Sequence, residues 1–144
     1  MKQTVLIADG DAELCDIYGG FLSDRGFAVE TASDGLDCLA KLRQVSPAVV
    51  VLDRDLRWGG ADGVLAWLRE ERSRCVVAVV LMATANVSPE ITDNIESPAV
   101  RFLAKPFALT TLLESVRAAV ADRKQEEPLI DWDRGAAYPE LYFG

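Results

Sequence analysis

The chain has 144 residues, 23 acidic against 15 basic side chains and no histidine, giving a net charge of −8. That length allows one domain of ~100–200 residues with a short tail, and the charge argues against binding a phosphate backbone as the main task. Without histidine there is no Ser-His-Asp or Cys-His catalysis, no phosphohistidine and no histidine-based zinc site. The first predicted strand, residues 5–8, is apolar and ends at Asp9. Residues 11–25 then place Leu14, Ile17, Phe21 and Leu22 on one helical stripe, interrupted by Gly19 and Gly20. A second strand over 27–31 leads to Ser33 and Asp34, candidate caps for a helix over 34–44 with Leu36, Leu39, Ala40 and Leu42 on its apolar side. A third strand over 48–52 ends at Asp53, and a helix over 62–72 carries Val64, Leu65 and Leu68. A fourth strand spans 76–82. Ser88-Pro89 opens a short helix, and Ser97-Pro98 stops it. A fifth strand over 100–104 precedes a helix over 108–122 with Leu109, Leu112, Leu113, Val116, Ala119 and Val120 on one face.

The strands are nearly continuous apolar runs, as expected when both faces are buried in a parallel sheet. Their alternation with helices predicts an α/β fold of five βα units, a doubly wound, flavodoxin-like parallel sheet in the order 2-1-3-4-5. This domain covers residues 1–123. Residues 124–144 form a tail with five acidic and two basic residues, two prolines and the aromatics Trp132, Tyr138, Tyr142 and Phe143. No apolar run approaches the ~18 residues of a membrane span, and the start of the chain does not read as a secretory signal. Cys15, Cys38 and Cys75 are widely spaced, without a C-x-x-C, and read as reduced thiols of a cytoplasmic protein.

In an open α/β sheet, ligands bind outside the carboxyl ends of the strands. The residues leaving strands 1, 3, 4 and 5 are Asp9 with Asp11, Asp53 with Asp55, Thr84, and Lys105. Taken singly, each has a plain role as a turn former, cap or surface residue. Together they supply acid, acid, hydroxyl and amine at matching positions. Clustered carboxylates repel one another unless a cation neutralises them, and Mg²⁺ suits a site of few carboxylates, water and a substrate phosphate. A carboxylate is also a competent nucleophile toward phosphorus. The constellation predicts phosphoryl transfer to an aspartate, assisted by Mg²⁺ or Mn²⁺.

Over residues 4–121 the sequence resembles the receiver domains of two-component response regulators, of the kind found in chemotaxis. The resemblance rests on Val5-Leu-Ile-Ala-Asp-Gly-Asp11, Pro47-Ala-Val-Val-Val-Leu-Asp53, Asp62-Gly63, Val80-Leu-Met-Ala-Thr84-Ala85 and Phe102-Leu-Ala-Lys105-Pro106-Phe107, in order and in register. It implies that Asp53 is the phosphoacceptor, served by a histidine kinase or a histidine phosphotransfer protein. It implies metal ligation by Asp9, Asp53 and the backbone carbonyl of Asp55, with Asp11 as a further candidate. Thr84 and Phe102 would be switch residues, Lys105 would pair with the phosphoaspartate, and the Lys105–Pro106 bond would be cis. The surface over residues 88–121 would contact a protein target or a second copy of the chain, with no direct role for nucleic acid or membrane.

Two features depart from the pattern. The family usually has two adjacent acids after strand 1, whereas here the second position is Gly10. The loop from Asp53 to Asp62-Gly63 is about two residues longer than usual and lacks a proline; in it Trp58 either covers the site, meets a partner or folds onto the neighbouring helix. These departures leave open a degenerate receiver, a binding module that works without phosphorylation. Asp53-Arg54-Asp55 also reads as the D-x-D of haloacid-dehalogenase-type phosphatases. That family places it after the first strand, however, and a further acidic motif follows its lysine.

Overall fold

Valine and isoleucine lose little in a strand and pack well on a pleated surface, and five such segments form one parallel sheet in the order β2-β1-β3-β4-β5. The structure, a computed structural model, describes residues 2–71, 76–84 and 100–126. In chain order the elements are β1 (Thr4–Ala8), α1 (Ala12–Asp24), β2 (Ala28–Ala32), α2 (Gly35–Val45), β3 (Val49–Asp53), α3 (Gly60–Glu71), β4 (Ala78–Thr84), β5 (Val100–Lys105) and α4 (Leu109–Glu126). The expected sheet order and fold class are those observed. The helix expected from Ser88-Pro89, Cys75 and residues 127–144 of the expected tail lie outside the described residues, while α4 itself runs to Glu126.

Alternate strand residues point to opposite faces, and the core divides accordingly. Val5, Ile7, Val49, Val51, Val80 and Met82 pack against Leu22 of α1 and Leu112 and Val116 of α4. Leu6, Val50, Leu52 and Leu81 pack against Cys38 and Leu42 of α2 and Val64 and Leu68 of α3. Burial on both faces holds for β1, β3 and most of β4, but not for β2 and β5. Those two strands form the edges, where a helix covers less of each face. β4 also sits two residues later than the sequence predicts, so Thr84 is the last residue of the strand itself.

The helices rotate away from two of the expected stripes. On α1 the buried positions are Cys15, Tyr18, Gly19 and Leu22, an i, i+3, i+4, i+7 set, and Ile17 is left 52% exposed. On α2 they are Gly35, Cys38 and Leu42, and Leu36 is 61% exposed. In each helix a glycine takes an inward position where a neighbour comes close, a strand side chain at Gly19 and loop backbone at Gly35. A Cβ on Gly19 would sit 3.2 Å from Val29 Cγ1, and one on Gly35 would sit 2.4 Å from the Trp58 carbonyl oxygen and 2.8 Å from Gly60 N. Of the two candidate caps, Asp34 is the one that caps α2, accepting from the Asp37 amide at 2.8 Å. Asp11 caps α1 through the amides of Glu13 and Leu14.

Gly35→Ala drives a methyl group into backbone and is expected to cost about 1–3 kcal/mol, the usual range for overpacking. Gly20→Ala meets nothing within 4 Å and is expected to stabilise α1 by roughly 0.5–1 kcal/mol. Urea denaturation of the two variants should move the midpoint in opposite directions with an unchanged slope.

Candidate functional site

Register decides which side chains meet. Ala8 pairs with Leu52, Asp53 with Met82, and Thr84 with Lys105. Asp9, Asp53, Thr84 and Lys105 all continue the strand face that α1 and α4 cover, because each is an even number of residues from a core residue of that face. The ladder runs on for one residue at the site, with the Asp9 amide donating to the Ala32 carbonyl at 3.1 Å and the Arg54 amide to the Met82 carbonyl at 2.9 Å.

Asp9 is 3% exposed and Asp53 8% exposed, the two charged residues buried in the domain core among the described residues. Burying an ionised carboxylate is costly unless hydrogen bonds and an opposite charge compensate it. The Asp9 Oδ1 accepts from the Asp11 amide at 2.9 Å. The Asp53 Oδ1 accepts from the Asp55 amide at 3.2 Å and from Lys105 Nζ at 3.3 Å. Lys105 Nζ also stands 3.6 Å from Asp9 Oδ2, close enough for attraction and too far for a hydrogen bond. That Oδ2 is therefore buried without a hydrogen-bond partner. Burial works against the Lys105 ammonium, but the charges of Asp53 and then Asp9 outweigh it, so Lys105 is held above the usual lysine value.

A solvent-open cavity of about 600 Å³ lies over these carboxylates, lined by Asp9, Gly10, Asp11, Ser33, Asp34, Asp53, Asp55, Arg57 and Trp58. Two buried carboxylates, one with an orphaned oxygen, fit a hard divalent cation that completes its shell with water and phosphate oxygens. Asp9 and Asp53 are the side chains that would hold such a cation, Mg²⁺ or Mn²⁺, with Asp55 bordering the same space. Among the described residues no three acidic or cysteine side chains close into a metal-binding cluster, so water and phosphate oxygens would complete most of the shell. Asp11 lines the cavity while its Oδ1 is engaged in capping α1. Gly10 leaves a space, not a crowded contact: a Cβ there would meet only the Ser33 carbonyl oxygen, at 3.7 Å.

Thr84 is exposed at the tip of β4. It stands one same-face step beyond the Met82 that faces Asp53, about 6.6 Å further along the strand. Phe102 belongs to the opposite face of β5, beside Leu81, and is 36% exposed. The Lys105–Pro106 bond is cis, as the resemblance implies. Trp58 is 71% exposed and lines the cavity, so it does not fold onto the neighbouring helix.

Sequence reasoning did not place Ser33, Asp34 and Arg57 at this cavity. A signal for the first two was present: the order 2-1-3 brings the end of β2 to the same edge as Asp9. Arg57 had none, since its position depends on the fold of the long loop. Two inner neighbours were also missed. Cys15 Sγ donates to the Asp9 carbonyl at 3.3 Å, and its thiol is raised by burial and by the Asp9 charge. Tyr18 packs on Phe107 with ring centroids 5.4 Å apart, and burial raises its phenol.

The chain matches the response regulator receiver domain family over residues 5–117. It is 30% identical over 128 residues to the DNA-binding response regulator MtrA of Mycolicibacterium paratuberculosis, covering 89% of this chain and 55% of that protein. It is 38% identical over 115 residues to a putative transcriptional regulator of Haloferax volcanii, covering 80% of this chain and 19% of that protein. The chain thus spans about half, or less, of the length of these relatives. Its backbone is similar to that of the chemotaxis protein CheY4 of Vibrio cholerae, with a TM-score of 0.72, 24% identity and coverage of 83% of this chain and 99% of that one.

Lys105→Met leaves two buried carboxylates without their cation and is expected to cost about 1–3 kcal/mol at neutral pH. The folded-state pKa of Lys105 is raised, so its stabilisation is fully present below the unfolded lysine value of about 10.4 and fades as pH climbs through the folded value. The stability gap between wild type and variant, measured by urea denaturation, should stay constant from pH 7 to about 10 and then shrink.

Proposed function

The chain belongs to the response regulator receiver family, and on that premise we propose that it accepts a phosphoryl group on Asp53 in a Mg²⁺-dependent reaction. The donor is a histidine kinase or a histidine phosphotransfer protein. The observation that carries this reading is the pairing of Asp53 with Lys105 at 3.3 Å beside Asp9, whose buried Oδ2 has no hydrogen-bond partner. The family signals; it is not primarily catalytic, and the receiver here acts as an acceptor that takes part in its own modification.

The roles follow from charge. Asp53 supplies the attacking carboxylate oxygen, and the donor nitrogen leaves with the electron pair of the broken P–N bond. Mg²⁺ or Mn²⁺, held by Asp9, Asp53 and the Asp55 backbone carbonyl, supplies when bound the positive charge that lets a carboxylate meet a phosphate. Lys105 already contacts Asp53 and pairs with the phosphoryl oxygens as they arrive. Thr84 reaches the same oxygens by moving inward along its strand face. Phosphorylation shifts a two-state equilibrium only through contacts that differ between the states. Thr84 and Lys105 supply those contacts, and Phe102 turns inward in response. The output surface is the region over residues 88–121, of which β5 and the first part of α4 are described; it binds a protein target or a second copy of the chain. The domain expected over residues 1–123 extends to the end of α4 at Glu126, the remaining residues to 144 are an acidic tail by composition, and the setting is the cytoplasm. No helix among the described residues is long and apolar enough to cross a membrane.

Gly10 favours a second reading, a receiver that binds its partner without phosphorylation, because one family carboxylate is missing there. Incubation with acetyl phosphate or phosphoramidate and Mg²⁺ decides between the two. Stoichiometric labelling that Asp53→Asn abolishes is expected, and no labelling at saturating Mg²⁺ selects the second reading. Lys105→Ala is expected to keep a labelled Asp53 while losing the accompanying change in partner binding; a wild-type response would remove Lys105 from the coupling. Gly10→Asp adds an oxygen ligand in open space and is expected to tighten Mg²⁺ binding roughly tenfold, since ligand charge sets affinity at oxygen sites, as read by calorimetric titration.

A further inference from the structure

The solvent-open cavity reaches beyond its carboxylates. The extra wall comes from the loop between β3 and α3, through Arg57 and Trp58. Both side chains are exposed, and Arg57 forms no ion pair among the described residues. Trp58 is 71% exposed at φ 54, followed by Gly59 at φ 93 and Gly60 at φ 64.

A tryptophan in the left-handed region pays backbone strain, and here burial does not offset it. The surrounding contacts hold the loop in place instead. The Gly35 amide donates to the Arg57 carbonyl at 2.7 Å, and Gly35 lies so close to the Trp58 carbonyl that no side chain fits between. A strained backbone that its neighbours hold, so that an unburied side chain borders the paired carboxylates, points to a function at that place.

We infer that Arg57 and Trp58 form the donor-binding rim of the site: the guanidinium attracts the phosphoryl group, and the indole lies against a flat aromatic leaving group such as imidazole. This inference rests on the reading of Asp53 as phosphoacceptor. Arg57 shares the cavity lining with five aspartates, which would repel a dianionic donor, and a guanidinium matches phosphate oxygens well. Trp58 offers an accessible π-face, and ring-on-ring contact is favourable and tolerant of ring identity. In the step itself the Asp53–phosphorus bond forms as the P–N bond breaks. The ring, protonated on its other nitrogen, takes the electron pair and departs as neutral imidazole.

The test compares two small donors on the intact chain with Mg²⁺: monophosphoimidazole, with a flat ring, and acetyl phosphate, with none. Trp58→Ala is expected to lower the ratio of kcat/KM for phosphoimidazole over acetyl phosphate by about threefold to tenfold, and Trp58→Phe to restore it. Arg57→Gln is expected to raise KM for both donors several-fold and to flatten their dependence on ionic strength. An unchanged donor ratio in Trp58→Ala overturns the role of the indole. A wild-type salt dependence in Arg57→Gln overturns that of the guanidinium. If the wild-type chain is labelled by neither donor, the reading of Asp53 falls and this inference falls with it.

Discussion

Two carboxylates buried side by side at the end of a hydrophobic sheet are the constraint on which the rest of this domain depends. Asp9 and Asp53 sit next to each other because β1 and β3 are adjacent and in register. Apolar side chains that leave no other course for the backbone enforce that adjacency. The fold therefore creates an electrostatic problem, and Lys105, delivered by the last strand, compensates it only in part. The ammonium binds Asp53 and attracts Asp9, yet leaves one Asp9 oxygen without a hydrogen bond. An incomplete charge balance suits the proposed acceptor role, because incoming positive charge and phosphate would then find groups not already satisfied by one another.

The surroundings keep that imbalance in place. Asp11 and Asp55 point backbone amides at the two carboxylates, so orientation is set by main chain and not by mobile side chains. The thiol of Cys15 holds the Asp9 carbonyl from below. On the open side, the start of α2 approaches the loop after β3 so closely that Gly35 must be glycine. This contact couples a helix cap to the cavity wall and carries Arg57 and Trp58 to the rim.

Much of this was legible in the sequence, for reasons that can be named. The valine-rich runs and their alternation with helices give the sheet and its order, and the order alone gathers Asp9, Asp53, Thr84 and Lys105 at one edge. Motif fragments in register pointed to the family. Less legible were the details of packing. Ile17 and Leu36 look like core residues because a hydrophobic pattern tolerates a helix rotated by one position. The structure turns Tyr18, Gly19, Gly35 and Cys38 inward instead: Tyr18 packs on Phe107, and Gly35 meets the loop backbone so closely that no side chain fits there, which leaves Ile17 and Leu36 outside. Trp58 stayed ambiguous for a related reason: a loop with two glycines has no periodicity to read.

By itself the sequence determined which groups exist and, through strand alternation and order, which sheet edge they share. Those properties follow from local patterns of apolar and polar residues. Only the tertiary structure decided how the groups meet: that Lys105 spans both carboxylates, that one oxygen of Asp9 is left over, that Thr84 stands a step away and that Arg57 and Trp58 line the cavity. These depend on distances between residues far apart in the chain, fixed by register and close packing, which no local pattern encodes.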